Sequence, residues 1–435
     1  MIGAPDEDGG VGDPIQNSGA VYLIIDNYQE VTETAILRAS DGEANDAFGF
    51  SVSIDGETIV VGAPFEDGGA ANLLLNAGAA YVFHRNYGGA DLWGQVAILR
   101  ASDLQNGDFF GHAVDISRVT IVVGAAYEDG GPGDPWADAG AAYVFSRNVG
   151  GADAWGQVQI LHAEDAQSAD VFGSSVAISG DTMVVGAPSE DGGPGDPWVN
   201  AGTAYVFSQN ASGADAWGQV RTLRAADAEA NDAFGVVAIS ENTLVVGAKD
   251  ADGIFEPSSN VISTNLGAGA AYIFTLQAGW EPEPVPLPPS SQVGDLFGSV
   301  ALSGNTLVVG APDEDGGDGD PLPASGTAYV FYRSSTGANS WEQIAELRAS
   351  DAQAGDYFGW AVAVYSDTVV IGAPDEDGGT GDPAVDAGAA YIFQRNQGGL
   401  DMWGEVTILH ALDAEAGDHF PLQLWGDVIP PLIVR

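Results

Sequence analysis

FGSSVAISGDTMVVGAP, from Phe172 to Pro188, decides the fold. Phe-Gly opens it, two short apolar runs flank Gly180-Asp181, and Gly-Ala-Pro closes it. Period-two runs on either side of a Gly-Asp dipeptide predict two strands joined by a tight turn. The stretch recurs along the whole chain. Phe-Gly pairs start at Phe48, Phe110, Phe172, Phe234, Phe297 and Phe358, at offsets of 62, 62, 62, 63 and 61 residues, and Phe420, another 62 residues on, precedes Pro421. Gly-Ala-Pro, or a one-residue variant, starts at Gly3, Gly62, Gly124, Gly186, Gly247, Gly310 and Gly372. A fixed period of this kind is the mark of a repeat architecture.

Beyond Pro188 the unit continues with EDGGPGDP (190–197), a loop by composition, and then AYVFS (204–208), a run rich in aromatic and β-branched residues. A polar turn over 209–215 leads to a fourth alternating run from Trp217 to Leu223, and 226–232 runs into the next Phe-Gly. Each unit therefore predicts four short strands, with no helical period. Units of this kind repeated seven times predict an all-β fold, a seven-bladed β-propeller of four-stranded antiparallel blades, in one domain over 1–435.

The chain starts on the second strand of a unit and ends after the first strand of another. Pairing of the N- and C-terminal strands is thus expected to close the ring and remove the edges of an open solenoid. The tail departs from the pattern, with Pro421 in the place of Gly and Pro430-Pro431 where other copies have Val-Val. The proline run EPEPVPLPP (281–289) cannot donate ladder hydrogen bonds, which places the fourth strand at the outer edge of its blade.

Composition limits the partners. Twelve Lys and Arg against 62 Asp and Glu give a formal net charge of −50, and Lys249 is the only lysine. Such a chain repels nucleic acid and anionic membranes and attracts cations and basic surfaces. Cysteine is absent, which removes disulfides, thiolate metal sites and a cysteine nucleophile. No apolar run approaches the roughly 20 residues of a membrane-spanning helix. The expectation is a monomer at an extracellular or cell-surface location, without membrane insertion.

Phe-Gly and Gly-Ala-Pro at this spacing resemble the FG-GAP repeat, which builds the propeller of integrin α subunits and occurs in many bacterial surface and secreted proteins. Ser-Gly-Asp between the first two strands and Glu-Asp-Gly-Gly after Gly-Ala-Pro look like the bacterial type. The resemblance implies a propeller used for adhesion or ligand binding, frequently with bound calcium. The family's calcium loop, of the DxDxDG kind, lies between the first and second strands. Here that connection is Asp55-Gly56-Glu57, Ser179-Gly180-Asp181 or Ser303-Gly304-Asn305, too short to hold it.

Chemistry is expected instead on the face where the second-to-third and fourth-to-first loops meet. Asp129, Asp134, Asp191, Asp196, Asp315, Asp318, Asp320, Asp377 and Asp382 are the candidate metal ligands, with calcium as the candidate cofactor. Calcium takes about six to eight oxygen ligands from a chain able to bend tightly, which Asp separated by Gly supplies. The competing reading is conformational, since Asp and Gly are also common turn formers. An Asp two residues before each Phe (Asp46, Asp108, Asp170, Asp232, Asp295, Asp356, Asp418) is read as a cap on its turn. Arg38, Arg100, Arg224 and Arg348 are expected to form surface pairs with that loop, worth about 0–1 kcal/mol each.

Trp93, Trp155, Trp217, Trp280, Trp341 and Trp403 share one fourth-strand position and are read as blade packing, whereas Trp136 and Trp198 follow the acidic loop and are read as loop anchors or contact residues. The five histidines are read as lying at unrelated repeat positions, and no nucleophile elbow, zinc-protease or phosphate-loop motif is present. The functional expectation is a binding or adhesion module, not an enzyme, that takes a protein or carbohydrate ligand on its acidic face. The alternatives are a hydrolase or lyase working on glycan or lipid in the central channel, or a purely structural repeat.

Overall fold

The structure, a computed structural model, describes residues 1–8, 15–26, 31–68, 74–129, 136–191, 198–251, 267–276, 283–284, 292–315, 322–334, 341–377, 385–399, 401–411, 416–420 and 423–424. Among these the β-strands form seven four-stranded antiparallel sheets. Blades 2 to 7 are continuous in sequence and span 51–99, 110–161, 175–223, 234–284, 299–347 and 361–409. Blade 1 is composite. Its first strand is Gln423–Leu424, followed by Ile2–Ala4, Ala20–Asp26 and Val31–Leu37. Ile2 and Gly3 pair with Leu424 and Gln423, so the two ends of the chain close the ring as expected.

Within blades 2 to 7 the strands lie in chain order, in blade 1 the C-terminal strand precedes the N-terminal three, and in every blade the fourth strand is the outer edge. Each first strand contacts the first strands on either side, giving an unbroken inner circle. In blade 4 the register is Ser179 opposite Thr182, which leaves Gly180-Asp181 as a two-residue hairpin turn. Gly180 sits there at a φ of 58°, the left-handed conformation such a turn requires. A register shift after Val82, Val144, Val206 and Val330 recurs between third and fourth strands, a bulge that adds twist to the outer edge.

The core lies between blades. Seven clusters of buried side chains each combine residues from two neighbouring blades, one per interface. The Phe that opens each unit is buried and meets a Tyr of its blade's third strand, edge-on in Phe172–Tyr205 at 5.5 Å between ring centroids and Phe420–Tyr22 at 5.2 Å, and tilted in Phe297–Tyr329 at 5.8 Å. Trp155, Trp217 and Trp341 are buried, so this tryptophan position is packing, as the recurrence predicts.

Backbone contacts join the blades beneath this core. A Cβ on Gly124 would lie 1.9 Å from the carbonyl oxygen of Gly173 in the next blade, and one on Gly186 1.9 Å from that of Gly235. The same approach recurs for Gly3, Gly62, Gly247 and Gly310. On the far side of the ring, Ser117 Oγ accepts from Gly180 N at 3.1 Å, Ser179 Oγ from Glu241 N at 3.2 Å and Ser240 Oγ from Gly304 N at 3.1 Å. Asp115 is buried on the inner wall; it accepts from Ser53 Oγ at 2.7 Å and from Ile178 N at 2.6 Å, tying three blades together.

Gly124→Ala is therefore expected to destabilise the fold by about 3 kcal/mol or more, because backbone on the next blade has to move. Gly42→Ala, whose new methyl would meet nothing closer than 3.6 Å, is expected to stay near wild type. Urea midpoints of the two variants measure the difference.

Candidate functional site

The fourth-to-first loop of one blade lands on the next blade through a set of buried carboxylates. Asp46 Oδ2 accepts from Glu43 N at 2.6 Å, Asp108 from Gln105 N at 2.7 Å and Asp170 from Gln167 N at 2.7 Å, which is the turn cap expected of this position. The equivalents Asp295 and Asp356 cap Gln292 N and Gln353 N in the same way. All are buried, and burial is the main cause that raises their pKa. The backbone N–H opposes the rise, and neighbouring carboxylates add to it. Asp46 and Asp170 are pushed up to about 7, and Asp108, Asp295 and Asp356 to about 6.

The Glu that opens each acidic loop is buried rather than displayed. Glu66 is paired with Arg100 at 3.0 Å, Glu7 with Arg38 at 3.1 Å, Glu314 with Arg348 at 3.1 Å and Glu190 with Arg224 at 3.5 Å. Thr327 Oγ1 donates to Glu314 at 2.6 Å and Thr203 Oγ1 to Glu190 at 2.5 Å. This corrects the reading of these arginines as surface pairs, because their main partner is out of water. Removing the arginine leaves the buried glutamate uncompensated, at a cost below the about 3–5 kcal/mol of a fully buried pair because the arginine side keeps contact with water. It also corrects the reading of the histidines. His162 and His410 occupy the same repeat position as those arginines, and His410 Nδ1 lies 3.8 Å from the buried Glu376.

The Asp that follows this Glu fastens the loop to its own far end. Asp129 Oδ1 accepts from Asp138 N at 2.9 Å, Asp191 from Asn200 N at 2.9 Å and Asp377 from Asp386 N at 3.0 Å. Asp8 and Asp67, at the same position, do likewise. Asp315 begins the equivalent loop of blade 6. The other candidate ligands, Asp134, Asp196, Asp318, Asp320 and Asp382, lie outside the described residues. Among the described residues no group of three His, Asp or Glu side chains is placed to hold a metal ion.

A feature absent from the sequence reading surrounds the mouth of the channel on this face. The residue before each Phe takes a left-handed backbone in all seven units: Ala47, Phe109, Val171, Ala233, Leu296, Tyr357 and His419 have φ between 49° and 56°. Its N–H is held by a carbonyl of the adjacent loop, as in Phe109 N to Asn76 O at 3.1 Å and Tyr357 N to Ala324 O at 3.0 Å. This conformation is costly for a non-glycine residue, and sites of this kind concentrate where function is placed. It brings Phe109 beside Phe65 and Tyr127 and His419 beside Asp375, residues of the position that follows Gly-Ala-Pro. That position reads Asp6, Phe65, Tyr127, Ser189, Asp250, Asp313 and Asp375 along the chain.

The mouth is consequently two-sided. On blades 2 and 3, Phe65 meets Phe109 at 5.2 Å and Phe109 meets Tyr127 at 5.1 Å; behind them Phe50 meets Phe65 at 6.1 Å and His112 at 5.1 Å. Phe65 is 36% exposed and Tyr127 41%. On blades 7 and 1 the equivalent contact is polar: His419 Nδ1 lies 2.8 Å from Asp375 Oδ1. Burial raises the pKa of Asp6, partly offset by His419, and burial also raises that of Asp313. Trp360, 45% exposed, adds a ring on blade 7 beside Tyr357 at 6.2 Å. Trp136 and Trp198 stand farther along the same loops and are exposed by 45% and 46%. Comparison of the seven units position by position, aromatics included, carries the signal for this arc.

A family model described as FG-GAP repeat matches residues 31–83, 93–145, 155–207, 217–274, 288–331 and 341–393. No curated protein matches the chain. Among solved structures, a protein from Lactobacillus plantarum is similar over 97% of each chain at 10% identity, with a TM-score of 0.52, a likeness of fold alone.

The raised aspartates set the sign of the pH dependence. Their folded pKa values of about 6 to 7 exceed the ordinary value of 3.8, so the folded state binds protons more tightly. Their contribution is fully present below the ordinary value and lost as pH rises through 6 to 7. The melting temperature is expected to rise as pH falls from 8 to 5, and Asp108→Asn to raise it at pH 8 while flattening that slope. Thermal melts at fixed ionic strength test both.

Proposed function

The chain belongs to the FG-GAP repeat family, and from that premise we propose that it is a binding module whose ligand lies on the channel mouth of the acidic face. The observation that carries this reading is the aromatic arc Phe65–Phe109–Tyr127, with Phe65 and Tyr127 exposed on either side of a half-buried Phe109, set on a scaffold that otherwise repeats unit by unit. Contiguous apolar rings left in water mark interaction surfaces, and aromatic side chains dominate the energetics of such surfaces. The scaffold does not need them, since the same positions are Ser189 and Val171 in blade 4 and Asp250 and Ala233 in blade 5. On this reading the protein acts as a monomer in an extracellular or cell-surface setting, and it performs no catalysis.

Calcium enters this proposal only through the distal loop carboxylates Asp134, Asp196, Asp318, Asp320 and Asp382, since Asp129, Asp191 and Asp377 already fasten their loops with one oxygen each. A calcium-dependent rise in melting temperature, reversed by chelator, is the result that supports this component. An unchanged melt removes calcium and leaves the aromatic face standing.

Phe65→Ala and Tyr127→Ala are expected to leave the melting temperature within a few degrees of wild type, because both side chains are exposed. The same substitutions are each expected to weaken, by about tenfold, binding to whichever purified glycan or matrix protein the wild-type chain selects from an array. Retention of that binding by both variants moves the ligand off the mouth.

A further inference from the structure

The chemistry of the mouth narrows the class of ligand. Four consecutive blades, 5, 6, 7 and 1, bring Asp250, Asp313, Asp375 and Asp6 to one repeat position, while blades 2 and 3 place Phe65 and Tyr127 there. An ionised carboxylate only accepts hydrogen bonds, so this half of the rim requires donors. The formal net charge of −50 adds a long-range attraction for cations and excludes anionic ligands. The opposite half requires an apolar surface flat enough to lie against rings.

Main-chain recognition of a peptide has no template at this place. The open sheet edges run along the inner and outer walls of the ring, not across the rim, so an extended peptide over the mouth adds to no sheet. Its carbonyl oxygens would meet a wall rich in acceptors, and an acceptor desolvated without a donor is costly. A sugar is matched differently. The C–H face of a pyranose stacks on an aromatic ring, and its hydroxyls donate to carboxylates. An amino group replaces one hydroxyl by an ammonium, a cation suited both to the carboxylates and to the ring faces.

We infer that the channel mouth binds an oligosaccharide that carries free amino groups, with sugar faces on Phe65 and Tyr127 and ammonium groups towards Asp313 and Asp375. This rests on the mouth being the ligand face. No bond is made or broken, and the glycan leaves unchanged.

Titration calorimetry of the full chain against glucosamine oligomers, the fully N-acetylated oligomers of the same length and a lysine-rich peptide of equal charge tests it. The glucosamine oligomers are expected to bind, and the N-acetylated ones about tenfold more weakly or worse. Phe65→Ala and Tyr127→Ala should each weaken glucosamine binding about tenfold, the loss of one stacked ring. Asp313→Asn and Asp375→Asn should weaken it and flatten its dependence on salt. Three results overturn the inference: equal affinity for the acetylated oligomers, binding of the peptide without the sugar, or glucosamine binding that survives both aromatic substitutions. A ligand without amines that still needs Phe65 and Tyr127 defeats the amino-sugar class and leaves the mouth as the ligand face. Indifference of every ligand to those two residues defeats both.

Discussion

The approach of backbone to backbone between neighbouring blades is the constraint on which the rest of this molecule depends. Gly3, Gly62, Gly124, Gly186, Gly247 and Gly310 of the Gly-Ala-Pro positions lie against the Phe-Gly turn of the next unit, with no room for a Cβ at Gly124 or Gly186. That proximity sets the spacing of the inner strands. The spacing in turn lets Asp115 bridge from Ser53 to Ile178 and lets the Ser117 and Ser179 hydroxyls reach the following turn. With the inner circle fixed, the buried Phe–Tyr pairs fill the wedge that opens outward between blades.

The carboxylates divide into two populations with different physics. Asp108 and Glu66, and their repeats, are buried and serve the scaffold. They cap turns, hold arginines and carry the loop of one blade onto the next. The cost of taking them from water is visible in the raised pKa of the capping aspartates. Asp6, Asp313 and Asp375 stand at the rim, where no unit-by-unit rule fixes the residue type. A count of acidic residues merges the two groups, so the net charge alone says little about where a ligand sits.

The same division separates scaffold from recognition. The left-handed residue before Phe is required by the turn in all seven units, but its side chain varies from Ala to Phe, Tyr and His. A repeated backbone conformation with a variable side chain lets a ring of equal units carry an unequal mouth. Blades 2 and 3 use that freedom for aromatics, and blades 7 and 1 for Asp375, His419 and Asp6.

Much of the architecture is legible in the chain alone. The 62-residue recurrence specifies seven units, the Gly180-Asp181 dipeptide specifies the hairpin, and the proline run places the fourth strand outside, because each is a local steric property of its residues. The turn-capping role of Asp108 was legible for the same reason. Only the tertiary structure decided that Glu66 and Glu314 are buried, since their partners Arg100 and Arg348 lie 34 residues away and loop composition resembles that of solvated loops. It alone joined Phe50, Phe65, Phe109, His112 and Tyr127 into one surface, because they come from two blades and four chain segments that meet only when the blades pack side by side.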